Sequence, residues 1–315
     1  MLKWRTHVQA KHHAHLCNFH PDCLVTNMSK LTFSGHESFT CRQFWLKKGY
    51  DFLEQGHRFS DADAVVYLGV GKNMVNSIQY WMKSFNLVDE TSTLRSLASY
   101  LLADEGKDPY LEQPGSLWLL HYLLVTSGRA SLYDIVFNGF RREYINFTKP
   151  QLVNFAFKYS GDMGVSVSVE SIQRDVDVLV RNYARPPRKP KSPEDDHTTL
   201  LMDLDLLNTF ELARNDGGVR YAIERRARIN IPMHVVLYAI LNQYQGLSVS
   251  FRNLANDRNG PGLVFALDED GLLSQINQMT ALYPSIIYTD DAGIRELQFR
   301  TRLNPEQVLD DYYNT

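Results

Sequence analysis

Apolar residues recur at helical spacing through most of this chain, and the clearest run is Ser60–Val88, SDADAVVYLGVGKNMVNSIQYWMKSFNLV. Ala62, Val65, Val66 and Leu68 make a short apolar stripe that Gly69-Val70-Gly71 interrupts. Met74, Ile78, Met82 and Phe85 resume it at steps of 4, 4 and 3. Two helices across a glycine-containing turn are predicted, the helix-turn-helix order. The outward face of the second helix holds Lys72, Asn73, Asn76, Gln79, Tyr80 and Lys83, and no carboxylate. Such side chains hydrogen-bond base edges and phosphates in a major groove; the same pattern also suits a solvated face of a packing module.

Other segments follow the same rule. An amphipathic helix is predicted from Cys41 on, with Phe44, Trp45, Lys48 and Phe52. Buried helices are predicted over Ser116–Val125 and from Lys149-Pro150, and an amphipathic one over Ser168–Tyr183, where Val169, Ile172, Val176, Leu179 and Tyr183 are spaced 3, 4, 3 and 4. The three prolines of Ala184–Ser192 (ARPPRKPKS) forbid a continuous helix and mark a linker. After Ile231 come an apolar helix, a short helix at Phe251–Ala255, a loop at Asn259-Gly260-Pro261-Gly262 and a helix at Asp268–Leu282. Alternation in Ser285–Thr289 and Arg295–Phe299, around Asp290-Asp291-Ala292-Gly293, predicts a hairpin. The expected fold is mainly α with small β, as tandem winged-helix-like modules. The expected divisions are an extension (1–27), an N-terminal module (28–110), a second helical module (111–184), a basic-then-acidic linker with a connecting helix (185–230) and a C-terminal module (231–315).

The net charge of −3 confines any DNA contact to local basic groups. The candidates are Lys72 and Lys83, the linker cations Arg188 and Lys189, and Arg220, Arg225, Arg226 and Arg228. Three cysteines, all before residue 42, cannot build a disulfide framework. With no run of 18 apolar residues and no apolar leader, they point to a reducing cytoplasm. Residues 1–27 hold five of the ten histidines, and Cys17, His20 and Cys23 stand at zinc-ligand spacing, with His13 or Cys41 as a fourth ligand. The alternative is an extension preceding a start at Met28. Glu194, Asp195, Asp196, His197, Asp203 and Asp205 gather oxygen donors suited to a divalent cation or to a solvated loop. No PD-x-ExK or paired histidine–asparagine nuclease motif is found. His36 and Glu37 are the nearest approach to a catalytic pair, and they equally suit a helix cap.

The motifs Leu31–Asp51 (LTFSGHESFTCRQFWLKKGYD) and Tyr67–Trp81 (YLGVGKNMVNSIQYW) resemble the opening of the bacterial family catalogued as domain of unknown function 4007, and the similarity runs on from Met28 to the C-terminus. The resemblance implies a component of a single-strand DNA phosphorothioation system used in anti-phage restriction. It implies a nickase of double-stranded DNA assisted by Mg2+ or Mn2+, working beside a cysteine desulfurase, an ATPase and a phosphoadenylylsulfate-reductase-like protein. It also implies a cysteine-containing segment after the linker; here Thr198-Thr199-Leu200-Leu201 stands there, and a thiol role is absent. The other expectations are a non-catalytic DNA-binding scaffold and a transcription regulator.

Overall fold

The computed structural model describes residues 31–185, 199–211 and 218–315. The zinc-type cluster of the first residues, Arg188, Lys189 and the acids 194–196 lie outside these residues. Leu31–Thr315 cluster as one compact unit.

The unit is mainly helical. Its first block holds α1 (Trp45–Glu54), α2 (Ala64–Leu68), α3 (Lys72–Ser84) and α4 (Ser96–Leu102). The predicted helix-turn-helix is present: α2 ends on Gly69 in the left-handed region, φ 63°, and α3 starts after Gly71. Val75, Ile78, Trp81 and Met82 bury the inner stripe of α3. It crosses α1 closely at Gly49, where a Cβ would stand 3.0 Å from both Ile78 and Met82. Tyr80 departs from the expected outward face: it packs against Gly35 and the His36 ring, because the chain before α1 folds back over that side of α3.

The middle of the unit is α5 (Pro114–Thr126), α6 (Ser131–Asp134), a π-helical turn over Ile135–Phe140, α7 (Arg141–Glu143), β1 (Asn146–Phe147), α8 (Lys149–Asp162) and α9 (Val169–Tyr183). Pro114 occupies the first turn of α5, where a missing N–H costs nothing, and the helix is apolar on all sides and buried along nearly its whole length. Thr148 and Gln151 close a capping box at the start of α8. His121, fully buried on α5, sits between the Tyr183 hydroxyl at 2.7 Å and the Val264 carbonyl at 2.8 Å. Burial pushes its pKa down to about 3. The neutral ring accepts from the tyrosine at Nδ1 and donates to the carbonyl from Nε2, which joins three separate elements.

The connecting helix expected within 185–230 is not found among the described residues. They form instead a 3-10 turn at Met202–Leu204 and two strands, β2 (Asn208–Glu211) and β3 (Val219–Ala222). β3 lies between β1 and β2, antiparallel to both, with Tyr221 opposite Phe147 and Thr209. Side chains pack against partners distant in sequence, and this pairing overrides local propensity.

The last block runs α10 (Met233–Gln243), β4 (Ser248–Ser250), α11 (Phe251–Asn256), α12 (Pro261–Val264), α13 (Glu269–Leu282), β5 (Ile286–Asp291), β6 (Ile294–Phe299) and α14 (Pro305–Tyr313). The expected loop around Pro261 is in part the short helix α12. β6 is central in a sheet of order β4-β6-β5. Ala292 (φ 49°) and Gly293 (φ 82°) make the two-residue hairpin turn between β5 and β6. α14 returns to the front of the chain. The Tyr313 hydroxyl meets Ser116 Oγ at 2.7 Å and Tyr100 donates to Asp310 at 2.9 Å. At Gly115 a Cβ would lie 2.4 Å from the Tyr312 ring.

Candidate nucleic-acid interface

α3 carries three of the predicted contact residues free. Lys72, Asn73 and Asn76 are exposed on its first two turns. Gln79 and Lys83, further along the same face, are committed to structure. Gln79 donates to Ser92 Oγ at 2.9 Å and Lys83 to the Glu90 carbonyl at 2.9 Å. Both brace the turn that follows α3, closed by a bridge between Val88 and Leu94. Asp89 nucleates it: one carboxylate oxygen takes the Thr91 and Thr93 N–H groups and the Thr91 hydroxyl. These bonds hold the Asp89 carboxyl below its usual range.

Behind α3 lies the segment Ser34-Gly35-His36-Glu37-Ser38. Four of its five residues have positive φ: Ser34 (65°), Gly35 (105°), Glu37 (48°) and Ser38 (62°). Left-handed conformations at non-glycine residues cost energy and persist only where surroundings over-determine them. The determinants are visible. Asp175 of α9 accepts from His36 Nε2 and from the Ser34 N–H, both at 2.9 Å, and the Ser38 N–H donates to His36 Nδ1 at 3.0 Å. Arg181, one and a half turns along α9, donates to the Ser38 carbonyl at 2.8 Å. His36 is buried, edge-on to Tyr80 and stacked at 6.4 Å on Trp81. Glu37 is exposed. The structure joins His36 to Asp175 and turns Glu37 away to solvent, because the left-handed turn at Glu37 reverses the chain between them. With Nδ1 accepting a backbone N–H, the ring is the neutral tautomer protonated at Nε2. The two residues do not form a catalytic pair with each other.

The predicted basic run also divides. Arg220 is exposed on β3. Arg226 pairs with Glu224 two residues away. Arg228 gives its donors to three backbone carbonyls, those of Ala266, Asp205 and Glu224, at 3.0–3.3 Å. Burial lowers its pKa to about 10. Arg225 is exposed and reaches Asn256 Oδ1 at 3.4 Å. Sequence reasoning missed Arg141 and Arg142, which stand on the same side; the pair has no periodic or motif signal, and a carbonyl 122 residues away decides its burial.

Among the described residues no group of three or more His, Cys, Asp or Glu side chains converges in a way that could hold a metal ion. Asp203 is 3.6 Å from Arg185, and Asp205 contributes its carbonyl to Arg228. No helix of the described residues is long and apolar enough to cross a membrane.

The profile of the family described as "Protein of unknown function (DUF4007)" matches residues 33–313. The chain belongs to this family. No curated protein matches it. Two solved structures do. An SspB crystal structure shares 28% identity and superimposes with a TM-score of 0.77. A magnesium ion-bound SspB crystal structure shares 27% identity, with a TM-score of 0.78. In both cases 90% of this chain and 88% of the other are covered. The DUF4007 match begins at Phe33, so the SGHES turn and the whole helix-turn-helix fall inside it.

Proposed function

We propose that this chain is the DNA-contacting component of a bacterial DNA phosphorothioation system and that it engages duplex DNA through the exposed start of α3. The observation that carries the reading is the free, carboxylate-free face of Lys72, Asn73 and Asn76 at the N-terminal end of the second helix of a helix-turn-helix. Asparagine side chains offer the donor–acceptor pair that recognises adenine in the major groove, and a lysine neutralises an adjacent phosphate. The Asp89 turn, braced by Gln79 and Lys83, would lie beside the neighbouring backbone as a short wing. The order α10-β4-α11-α12-α13-β5-β6 with β6 central supports a second, complete winged-helix module. The similarity to SspB supports the assignment to phosphorothioation, and it extends to nicking of one DNA strand.

The donor set bears on the nicking step. Mg2+ takes one or two carboxylates together with waters and substrate phosphates, and the described residues contain no three-residue ligand cluster for it. They do not fit a preassembled magnesium or manganese centre, and no chemical step is assigned to such a metal. His36 has both ring nitrogens engaged. These two observations favour, as the second reading, a DNA-binding scaffold that targets the sulfur-transfer proteins. A plasmid-relaxation assay with the purified chain, with Mg2+, with Mn2+ and with chelator, separates the two. Conversion of supercoiled to open-circular DNA supports the nickase, and DNA binding without conversion supports the scaffold. Absence of duplex binding removes both.

A further inference from the structure

The chain passing from α6 into α7 makes a π-helical turn, Ile135–Phe140, at whose end stand Arg141 and Arg142. π-turns widen a helix by one residue and recur at functional sites. This one is clamped to the far block: Asn138 Nδ2 donates to Asn259 Oδ1 at 2.8 Å, and the Asn259 N–H donates to Asn138 Oδ1 at 2.8 Å. The clamp brings the end of α11 beside the two arginines. Arg142 donates to the Asn256 carbonyl. Arg225 reaches the side chain of the same Asn256 from the segment after β3. Arg141 points inward and donates from Nη1 to the Leu263 carbonyl at 3.0 Å, while Arg228 takes the Ala266 carbonyl of the same turn.

Four guanidinium groups therefore surround one short stretch, Asn256–Ala266. Among the described residues no carboxylate comes within ion-pair distance of any of them. Elsewhere in this region the fold matches its cations: Arg258 pairs with Asp134, Arg226 with Glu224, and Arg295 with Glu269 and Asp290. Arg141 is 7% exposed, and its buried Nε has no hydrogen-bond partner. A buried cation without a counter-charge is costly unless something else supplies the negative charge. Its pKa is pushed down to about 9 by burial first, and then by Arg225, Arg228 and Arg142. The nearest acid to Arg142, Asp257, lies beside the Tyr244 hydroxyl, and burial holds its carboxyl above the usual range. Arg142 and Arg225 are exposed, and they face solvent in front of the buried Arg141.

We propose that Arg142 and Arg225, backed by the buried Arg141, form a binding site for a phosphate group. The planar guanidinium forks match phosphate oxygens in pairs, and the low-dielectric setting of Arg141 strengthens the field at the mouth. The ligand is a phosphate held either as a diester in a DNA strand or as a free anion. The site stands without the α3 interface; only the strand as the source of the phosphate rests on the DNA-binding reading.

Inorganic phosphate tests the site first. At matched ionic strength against chloride, about 0.1 M phosphate raises the Tm of the full chain by about 3 °C, as selective binding to the folded state requires. Arg142→Ala with Arg225→Ala abolishes the rise, and Arg220→Ala, on the neighbouring sheet, keeps it. Both changes are at exposed positions, and the Tm in chloride alone reports their folding. A 5′-phosphorylated single-stranded 12-mer read by fluorescence anisotropy then distinguishes the sources. Competition by phosphate, with at least fivefold weaker binding in the double variant, assigns the diester. A phosphate-dependent Tm rise with an unaffected oligonucleotide assigns the free anion. No rise over chloride, or the same rise in the double variant, overturns the site. Lys72→Ala with Asn76→Ala leaves the phosphate response intact, so failure of the α3 interface is read separately.

Discussion

α3 and α13 occupy comparable places in two blocks of the chain, each the last helix before a hairpin-like turn, and they show opposite surfaces. α3 contains no acid and presents Lys72, Asn73 and Asn76. α13 contains no base and presents Glu269, Asp270, Ser274, Asn277 and Gln278. By secondary-structure order the later block is the more complete winged helix, with three paired strands where the earlier block has one bridge. By surface, the earlier block is the one suited to a polyanion. Architecture sets where a helix projects, and the few side chains on its outer stripe set what it meets.

Exchanging the charge of those stripes breaks the comparison most directly. Lys72→Glu with Asn76→Asp is expected to weaken duplex binding about 100-fold at moderate salt. Asn277→Asp with Gln278→Glu on α13 is expected to leave it unchanged. Equal losses in anisotropy titrations would show that both blocks touch DNA.

The scaffolds behind the two helices differ as well. Gly35→Ala places a Cβ 2.8 Å from the Tyr80 ring at a backbone φ of 105°. It should lower stability by about 2 kcal/mol in urea unfolding. Gly293→Ala, at φ 82° but with nothing within 4 Å, should cost about 1 kcal/mol. A reversed order would mean that the turn behind α3 is the looser of the two.

His121 tests whether the blocks unfold together, since it ties α5 and α9 of the middle to α12 of the last block. Its folded pKa of about 3 lies below the ordinary 6.5. The unfolded chain therefore takes up the proton first as the pH falls. The contribution is complete above pH 6.5 and declines below it by about 1.4 kcal/mol per pH unit, until pH 3. His121→Gln, which still donates and accepts, should flatten that decline. Denaturant midpoints between pH 7 and pH 4 measure it.

The smallest effect separates free from committed cations on α3. Lys72→Ala should flatten the log–log salt dependence of duplex binding by about 0.9. Lys83→Ala should leave the slope unchanged, because its ammonium is spent on the Glu90 carbonyl.

The helical parts were legible because their signal is local. The 4, 4, 3 spacing of Met74, Ile78, Met82 and Phe85 fixed which side of α3 is buried, and with it Lys72, Asn73 and Asn76 as exposed. The alternation in the last block announced β5 and β6. Three features were not legible, and each depends on residues far apart in the chain. β3 is a strand through its pairing with β1 and β2, so Val219–Ala222 read as part of a connecting helix. Tyr80 looked outward until the SGHES turn covered it. His36 seemed to belong with its neighbour Glu37, while its partner is Asp175, 139 residues on. The arginines were counted alike by sequence. Hydrogen bonding divides them into structural ones, Arg226 and Arg228, and an available one, Arg225.

The π-turn at Ile135–Phe140 bears on how this family tolerates insertions and deletions. A helix advances by about 100° per residue, so removing one residue from the turn would swing everything after it through roughly that angle. Arg141 would leave the Leu263 carbonyl, and Asn138 would lose Asn259. Substitutions can accumulate one by one along this segment, but its length is held as a unit. A change in residue number here must be answered in the Asn256–Ala266 stretch, 120 residues downstream in the gene and adjacent in the folded chain.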